Sequence, residues 1–228
     1  MAEENAGDAA GVYRERVYEN EGFPALVALV APEDRRILDV GCGTGANLRL
    51  LAAAGREVRG VTLSEEEARA VRAAGFTCDV CDVEREELPL ADASVDALVF
   101  SHVLEHMAWP AAVLRRHLRV LKPGGGVYVA LPNPLHLPQR WAFLRGRFRY
   151  TETGLLDRTH LRFFDFQSAR ELLESAGLTI VRHEAIGYVP LGPLRRVLGP
   201  LAPRLDAAAT RLWPGLFGWH LLVAGRLG

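Results

Sequence analysis

The segment that most constrains this chain is the glycine-rich stretch 38–45, with the sequence LDVGCGTG. It overlaps a short apolar run, residues 35–40, and it precedes residues 46–54, which favour a helix. Glycines allow a tight turn and let a ligand approach the backbone closely. A strand, a glycine-rich turn and a helix in this order predict a ligand site at the edge of an α/β sheet.

Apolar runs and helix-forming runs alternate along most of the chain. Ser64, followed by three glutamates, is typical of a helix N-cap with acids in the first turn. This alternation predicts a parallel sheet with helices on both faces. The predicted strands are 35–40, 57–61, 76–80, 95–100, 126–131, 178–185 and 220–224, and the predicted helices are 13–31, 46–54, 65–75, 110–121 and 167–176.

The charge beside the turn separates two classes of nucleotide ligand. Residues 41–46 also fit the dinucleotide pattern G-x-G-x-x-G/A, which places a pyrophosphate against the helix N-terminus. Asp39 opposes a pyrophosphate, and the acid that binds a dinucleotide ribose is absent from the end of the second strand, residues 60–63. S-adenosylmethionine carries an ammonium and a sulfonium instead of phosphates, so a carboxylate beside the turn favours that ligand.

Three further segments, together with the turn, resemble the class I S-adenosylmethionine-dependent methyltransferases. They are residues 81–83, 101–106 and 121–125, with the sequences CDV, SHVLEH and LKPGG. The resemblance implies an α/β, Rossmann-like doubly wound sheet of seven strands, mostly parallel with an antiparallel last strand. It also implies an enzyme whose cofactor is S-adenosylmethionine. The residues that it assigns to the cofactor are Asp39, Gly41, Cys42, Gly43, Gly45, Thr62, Leu63, Asp82, Val83, Ser101 and His102.

The end of the second strand departs from the family pattern. Most relatives have an acid there that binds both ribose hydroxyls, whereas this chain has Thr62. A threonine hydroxyl makes only part of that contact. We expect Glu66 or Glu67, in the first turn of the following helix, to supply the rest.

Residues 156–164, LDRTHLRFF, resemble a segment of the methyltransferases that act on sugars, other secondary metabolites or cell-envelope glycans. One interpretation is that Asp157 orients His160 as a general base, while two arginines bind a carboxylate or phosphate of the acceptor. The alternative is that Asp157 pairs with Arg158 and the phenylalanines only anchor the segment. The candidate catalytic residues are His160, His106 and Asp157, and the candidate acceptor-binding residues are His102, His136, Arg158, His160 and Arg162.

Four regions are expected along the chain. Residues 1–11 form a disordered tail, 12–131 the cofactor-binding core, 132–165 an acceptor-binding insert or lid, and 166–228 the C-terminal part of the same domain. Within the last region, the leucines and prolines of residues 190–217 favour a substrate lid or a dimer face over an interfacial membrane contact.

Composition disfavours several classes of function. The net charge is −1, so the basic and aromatic stretch 140–150 favours a lid over an anionic small molecule rather than a nucleic-acid surface. The sequence has no apolar run long enough for a membrane span and no recognisable signal peptide. Cys78 and Cys81 form one isolated pair, which does not make a zinc site, and we expect no metal. Three cysteines are typical of a cytoplasmic protein with reduced thiols.

These features predict S-adenosylmethionine-dependent methyl transfer to a small-molecule acceptor. O-methylation of a sugar, an acid or another secondary metabolite is the leading hypothesis. N-methylation of a small molecule and a catalytically silent cofactor-binding partner protein are the alternatives. A homodimer is compatible with the sequence.

Overall fold

The computed structural model describes residues 21–228, and seven strands in that range form one sheet. Across the sheet the order is β3-β2-β1-β4-β5-β7-β6. Neighbouring strands are parallel except at β7, which is antiparallel to both β5 and β6. The predicted fold class is confirmed, including the antiparallel last strand. The strands are β1 Arg36–Val40, β2 Glu57–Thr62, β3 Thr77–Val80, β4 Val95–Ser101, β5 Leu121–Pro132, β6 Leu178–Gly187 and β7 Gly218–Leu227.

The helices of the described residues cover both faces of the sheet. Ser64 caps the third of them as predicted, because its Oγ accepts a hydrogen bond from the Glu67 amide at 3.4 Å. The helices are α1 Pro24–Val27, α2 Ala46–Ala53, α3 Glu65–Ala73, α4 Pro110–His117, α5 Leu137–Leu144, α6 Phe166–Ser175, α7 Leu194–Leu198, α8 Leu201–Leu212 and α9 Pro214–Phe217. None of them combines the length and apolar character needed to cross a membrane.

The apolar core lies on both faces of the sheet because side chains alternate along each strand. In β1, Leu38 and Val40 join the larger cluster, which packs against α4 and α6. Ile37 joins the second cluster, which includes residues of α1 and α2. Asp39 lies between Leu38 and Val40, so its side chain points to the face of Ile37, where it is fully buried. A carboxyl group therefore lies inside the protein directly below the glycine-rich turn.

The helix predicted over residues 13–31, with a kink or break at Pro24, is shorter in the part that the structure describes. Residues 13–20, like the predicted tail 1–11, lie outside the described residues. Helix α1 is Pro24–Val27, and it begins at the proline where the break was expected. Proline suits the first helical position because its missing N–H has no partner there in any case.

The helix predicted over residues 110–121 also ends earlier. It continues after His117 only as a 3₁₀ turn, Leu118–Val120, and Leu121 already pairs with Val95 in the sheet. The predicted turn 121–125 belongs to β5, where the register with β4 shifts between Val95 and Ala97. The prolines and glycines of this segment make an irregularity within a strand, because a bulge accommodates extra residues without ending the pairing.

Residues 190–217 form three short helices, α7 to α9, as their prolines require. Asp206 of α8 fixes them to the sheet, since it accepts a hydrogen bond from the Val189 amide at 2.9 Å and pairs with Arg195. Several apolar side chains of this segment are exposed, namely Leu194, Val197, Leu201 and Leu205.

Candidate active site

A cavity of about 1790 Å³ opens at the carboxyl ends of β1, β2 and β4. The turn after β1 forms one side of it, and parts of residues 132–165 form the other. No residue of the segment 190–217 lines this cavity, which argues against the predicted lid role of that segment. The predicted site residues that line the cavity are Gly41, Gly43, Thr62, Leu63, Asp82, Val83, Ser101, His102, His106, His136, Asp157, His160 and Arg162.

The turn after β1 has a backbone that requires glycine. Gly41 has a φ of +74°, and a Cβ atom there would lie 2.5 Å from the Val103 Cγ2 atom. The amides of Gly41 and Cys42 both donate to the Val61 carbonyl, at 2.8 and 3.0 Å. These bonds hold the turn against the end of β2 and leave its backbone open to the cavity. The predicted ligand-binding turn is therefore formed.

Asp39 lies below the turn and does not line the cavity. Neither of its carboxyl oxygens accepts a hydrogen bond from the described part of the chain. Burial raises the pKa of Asp39 to about 8. A buried carboxyl group without a donor is costly unless a positive charge comes near it. The sequence predicted that Asp39 contacts the cofactor, whereas the structure places it one layer deeper, outside the cavity lining.

Thr62 and Glu67 meet at the end of β2. The Thr62 Oγ1 donates a short hydrogen bond to the Glu67 carboxylate, and both residues line the cavity. Glu66 is exposed and does not line it. Of the two glutamates that the sequence left open, the structure brings Glu67 to the position where most relatives have their acid. The N-cap at Ser64 explains this, because it starts the helix so that its third residue faces back toward Thr62.

Cys42 and Gly45 belong to the turn but do not line the cavity. The Cys42 thiol points away from it and lies 3.8 Å from the Cys78 thiol. A Cβ at Gly60 would lie 2.6 Å from the Cys42 sulfur, so β2 needs glycine at that point. The side chain of Cys42 thus packs against the sheet, which corrects its expected contact with a ligand. Gly45 has a φ of +83° and starts α2.

His102 follows β4 and has an unusual backbone. Its φ is +56°, a strained value for a residue with a side chain, and such strain is concentrated at functional sites. Its ring packs against His220 and Phe23, with centroids 4.9 and 5.4 Å apart. Burial lowers the pKa of His220 to about 4, so that ring is neutral at ordinary pH.

Glu105 is the most deeply buried acid of the cavity wall, with no exposed surface. Its Oε1 lies 3.4 Å from His102 Nδ1 and 4.0 Å from His160 Nε2, and neither carboxylate oxygen has a hydrogen bond within the described chain. Burial works to raise the pKa of Glu105, but His102, His106 and its own backbone amide together outweigh it and keep that pKa below its usual range. The rings of His106 and His160 lie 4.7 Å apart beside it. One ionised acid and three imidazoles therefore share this end of the cavity.

The Asp157 carboxylate is linked through Thr159 to a different histidine from the one expected. Its Oδ1 accepts hydrogen bonds from the Thr159 amide at 2.9 Å and from the Thr159 hydroxyl at 2.6 Å. The Thr159 hydroxyl and carbonyl lie 3.2 and 3.3 Å from His106 Nδ1. The Nδ1 of His160 lies 3.2 Å from the Leu155 carbonyl instead. Asp157 thus acts on His106 through Thr159, and a backbone carbonyl orients His160.

The two arginines of the segment do not form the predicted clamp. Arg158 is exposed, pairs with Glu152 at 3.0 Å and does not line the cavity. Arg162 lines the cavity, but its guanidinium donates two hydrogen bonds to the Ala108 carbonyl, at 2.9 and 2.6 Å. The pairing of Asp157 with Arg158, which was the alternative, is not formed either among the described contacts.

His136 lies at the start of α5, and its position is fixed by its neighbours. Its Nδ1 is 3.2 Å from the Asn133 carbonyl, and its ring packs on Trp219 with a centroid distance of 4.2 Å. Burial lowers the pKa of His136. This wall of the cavity is therefore formed by the neutral imidazole of His136 and by apolar side chains such as Trp219.

Three contributors to the cavity were not assigned by sequence reasoning. Glu105 lies within the SHVLEH segment, but no role was given to it there. An acid between two histidines after a buried strand was the signal available. Phe23 and His220 come from opposite ends of the described chain, and nothing local indicates that β7 brings them beside His102.

The fold, the glycine turn and the cavity define a Rossmann-like nucleotide-binding class. A family model described as a methyltransferase domain matches residues 13–183. The chain therefore belongs to the S-adenosylmethionine-dependent methyltransferases. The predicted family, enzyme class and cofactor are confirmed.

Curated relatives agree with this assignment. A "Probable S-adenosylmethionine-dependent methyltransferase" of Mycolicibacterium smegmatis is 36% identical over 64% of this chain and 52% of its own length. A ubiquinone biosynthesis O-methyltransferase of Xanthomonas axonopodis pv. citri is 30% identical over 72% of this chain and 70% of its own. A 27-O-demethylrifamycin SV methyltransferase of Amycolatopsis mediterranei is 34% identical over 45% of this chain and 42% of its own length. The chain spans about half the length of the first of these relatives.

Solved structures support the fold. An S-adenosylmethionine-dependent methyltransferase from Mesorhizobium loti covers 91% of this chain and 98% of its own, with a TM-score of 0.61 and 24% identity. A second such methyltransferase, from Archaeoglobus fulgidus, matches 85% of this chain and 86% of its own, with a TM-score of 0.61 and 22% identity.

The residues of the site fit S-adenosylmethionine on three observations. Asp39 is a buried carboxyl group that lacks a donor, which suits a cationic ligand. The turn at Gly41 brings left-handed backbone, which favours glycine, to the cavity wall. The Thr62–Glu67 pair supplies a carboxylate at the end of β2 for ribose hydroxyls.

Proposed function

We propose that this chain transfers a methyl group from S-adenosylmethionine to a hydroxyl oxygen of a small acceptor. The turn 41–45 and the Thr62–Glu67 pair hold the cofactor, and residues 132–165 form much of the acceptor-binding side. One observation carries the proposal. A single cavity runs from the glycine turn to Glu105, His106 and His160, so a cofactor at one end faces proton-accepting groups at the other.

The residues at the cofactor end of the site bind and orient S-adenosylmethionine. When bound, S-adenosylmethionine supplies a methyl group on a positively charged sulfur, which an oxygen nucleophile attacks in line. Glu67 accepts hydrogen bonds from the ribose, and Asp39 stabilises the positive charge through its field. Holding two reactants in the attacking geometry removes several kcal/mol of the barrier, of the order seen for oriented intramolecular reactions.

The acceptor end of the site receives a proton. An alcohol or phenol must lose its proton as the new bond forms, and a basic group within hydrogen-bond reach assists this. Because the Nδ1 atoms of His106 and His160 face backbone carbonyls, their Nε2 atoms carry the lone pairs when the rings are neutral. Those two rings and the Glu105 carboxylate line the cavity, where they can accept a proton from an acceptor hydroxyl. Asp157 does not act on the acceptor itself. It is a positioning residue, because it holds Thr159, which in turn contacts His106.

The acceptor class follows from the cavity and from the relatives. The curated relatives include O-methyltransferases of ubiquinone biosynthesis and of a rifamycin, which favours oxygen over nitrogen as the nucleophile. A sugar, an acid or another secondary metabolite fits a cavity of this size. An anionic acceptor would meet Arg147 and Arg149, which line the cavity, rather than Arg158. A homodimer through the exposed leucines of α7 and α8 belongs to the same proposal.

The test is product formation on paired acceptors. Catechols, hydroxy acids and sugars are offered beside analogues in which an amine replaces the hydroxyl, and mass spectrometry records the gain of one methyl group. We expect methylation of hydroxyl acceptors and little of their amine partners. His160→Asn should lower kcat at least tenfold with unchanged binding of S-adenosylhomocysteine, whereas His183→Gln, at a ring stacked on Phe166 outside the cavity, should change neither. Methylation of the amines alone would overturn the assignment to oxygen.

A further inference from the structure

We propose that Glu105, His106 and His160 form a binding site for one divalent transition-metal cation, in the wall of the acceptor cavity. The three side chains each present a ligand atom, and these atoms lie within 4.8 Å of one another. Two imidazoles and one carboxylate suit zinc, manganese, iron or cobalt, and not magnesium, which prefers oxygen ligands. Binding of the cation does not depend on the proposed function, but its use in methyl transfer rests on that function.

The burial of Glu105 is the first argument. Its side chain has no exposed surface, and neither of its oxygens accepts a hydrogen bond from residues 21–228. Buried charges in proteins are paired, hydrogen-bonded or bound to a metal, because an isolated charge is costly in the interior. His102 Nδ1 lies 3.4 Å from Oε1, at the outer limit of hydrogen-bond distance. The carboxylate is therefore buried without a close hydrogen bond to either oxygen.

The tautomers of the two histidines are the second argument. His106 Nδ1 lies 3.3 Å from the Thr159 carbonyl, and His160 Nδ1 lies 3.2 Å from the Leu155 carbonyl. A carbonyl only accepts, so each Nδ1 carries the proton and each Nε2 carries the lone pair. Metal-binding histidines are held in this way, with one ring nitrogen donating to a carbonyl and the other facing the metal.

The backbone preassembles the three side chains. The Glu105 carbonyl accepts hydrogen bonds from the amides of Leu161 and Arg162, at 2.8 and 2.9 Å. These bonds tie the 3₁₀ turn Leu104–His106 to the strand-like segment after His160. Thr159, held by Asp157, adds a second link to His106. A cation therefore finds its ligands on two segments that are already joined.

The distances require the three side chains to move closer together. Ligand atoms bonded to one zinc-like cation at roughly 2.1 Å lie about 3.4 Å apart in a tetrahedral arrangement. The His160 Nε2 and Glu105 Oε1 atoms are 4.0 Å apart, and all three ligand atoms lie within 4.8 Å of one another, so side-chain rotations that shorten these distances by up to about 1.4 Å would close the site. Three protein ligands leave a fourth position open to the cavity, as in catalytic metal sites. An acceptor hydroxyl that occupies this position would have a lower pKa and could pass its proton to the Glu105 oxygen that does not hold the cation, while the two imidazoles act as ligands instead of bases.

The experiment titrates cobalt into the untagged chain and follows the visible absorption of bound Co²⁺, with Zn²⁺ titrated by calorimetry. We expect one equivalent to bind, and Mg²⁺ not to compete. Glu105→Gln and His160→Asn should each weaken binding at least tenfold, since loss of even an outer partner of a ligand costs about 10- to 100-fold. His183→Gln should bind like the unmodified chain. Circular dichroism verifies that each variant folds. If His160→Asn does not fold, the isosteric Glu105→Gln alone tests the site.

Failure of the metal site is separable from failure of the methyltransferase proposal. A chain that binds S-adenosylhomocysteine and methylates hydroxyl acceptors in the presence of EDTA, without taking up cobalt, would overturn the metal site alone. Cobalt binding that neither variant weakens would also overturn it. One equivalent bound through Glu105 and His160 supports the site, whether or not an acceptor is found.

Discussion

At the scale of single residues, the acid that we propose to bind the cofactor ribose comes from a helix instead of a strand. Thr62 occupies the usual position of that acid, and it donates to the carboxylate of Glu67. The sequence narrowed the choice to Glu66 or Glu67 but did not decide between them. The decision depends on helix phase, because only every third or fourth residue of α3 faces the sheet.

Replacing that carboxylate should weaken cofactor binding. In Glu67→Gln we expect about 10- to 100-fold lower affinity for S-adenosylhomocysteine, since hydrogen bonds to a charged group contribute roughly 1.5–3 kcal/mol. Glu66→Gln is the matched control, because Glu66 is exposed in the same turn of helix. Isothermal titration calorimetry on both variants measures the difference. Equal losses in the two variants would contradict the assignment.

Asp39 should make cofactor binding depend on pH. Its folded-state pKa is raised to about 8, so the carboxyl group is mostly protonated below that pH. A cationic ligand favours the ionised form, and binding therefore releases a proton. Affinity should rise by up to about tenfold per pH unit as the pH approaches 8 from below, and then level off. Asp39→Asn should bind more weakly near pH 8 with a flat profile. A wild-type profile equally flat would refute the role of this group.

At the scale of elements, the order of strands and helices was predictable because their periodicity is local. The strands β1 to β4 and the cap at Ser64 agree with the sequence to within one or two residues. The failures have physical causes. Residues 121–125 look like a turn but are held in the sheet by pairing with β4, and this pairing is a tertiary effect that local propensity does not contain.

Gly60 of β2 should be irreplaceable because the turn packs on it. In Gly60→Ala the new Cβ would lie 2.6 Å from the Cys42 sulfur, and we expect a loss of about 1–3 kcal/mol, as for other overpacked cores. Urea unfolding measures it. Gly215→Ala, whose Cβ would meet its nearest neighbours at 3.9 Å or more, should be close to neutral. The double change with Cys42→Ala should recover part of the loss, and no recovery would show that the contact is not the cause.

Tyr128 of β5 should stabilise the segment that precedes β1. It is buried, its hydroxyl donates to Asp34 at 2.5 Å and it accepts from the Ala31 amide at 3.0 Å. Tyr128→Phe leaves the Ala31 amide without its acceptor and removes one of the two partners of Asp34, which keeps Arg226, and this should cost about 1–3 kcal/mol. The exposed Tyr150→Phe should change stability by less than roughly 0.5 kcal/mol. Thermal unfolding compares the two variants. An unchanged Tm in Tyr128→Phe would contradict the stabilising role of the Tyr128 hydroxyl.

At the scale of the whole molecule, the cofactor half of the site was easier to predict than the acceptor half. The cofactor residues lie at the ends of successive strands, so their order in the sequence places them along one edge of the sheet. The acceptor residues lie on an insert whose path depends on long-range contacts. The backbone of Glu105 holds the segment after His160, and this bond joins residues more than fifty positions apart. Asp157 and Arg158 therefore could not be assigned partners from sequence spacing.

The central claim is that the cavity beside the glycine turn is built for a sulfur-containing nucleoside without phosphates instead of a dinucleotide. Its most direct test is a calorimetric titration of the purified chain with S-adenosylhomocysteine and, in parallel, with NAD⁺. We predict one equivalent of S-adenosylhomocysteine bound, weakened in Glu67→Gln, and no heat from NAD⁺. Binding of NAD⁺ with no response to S-adenosylhomocysteine would contradict the claim.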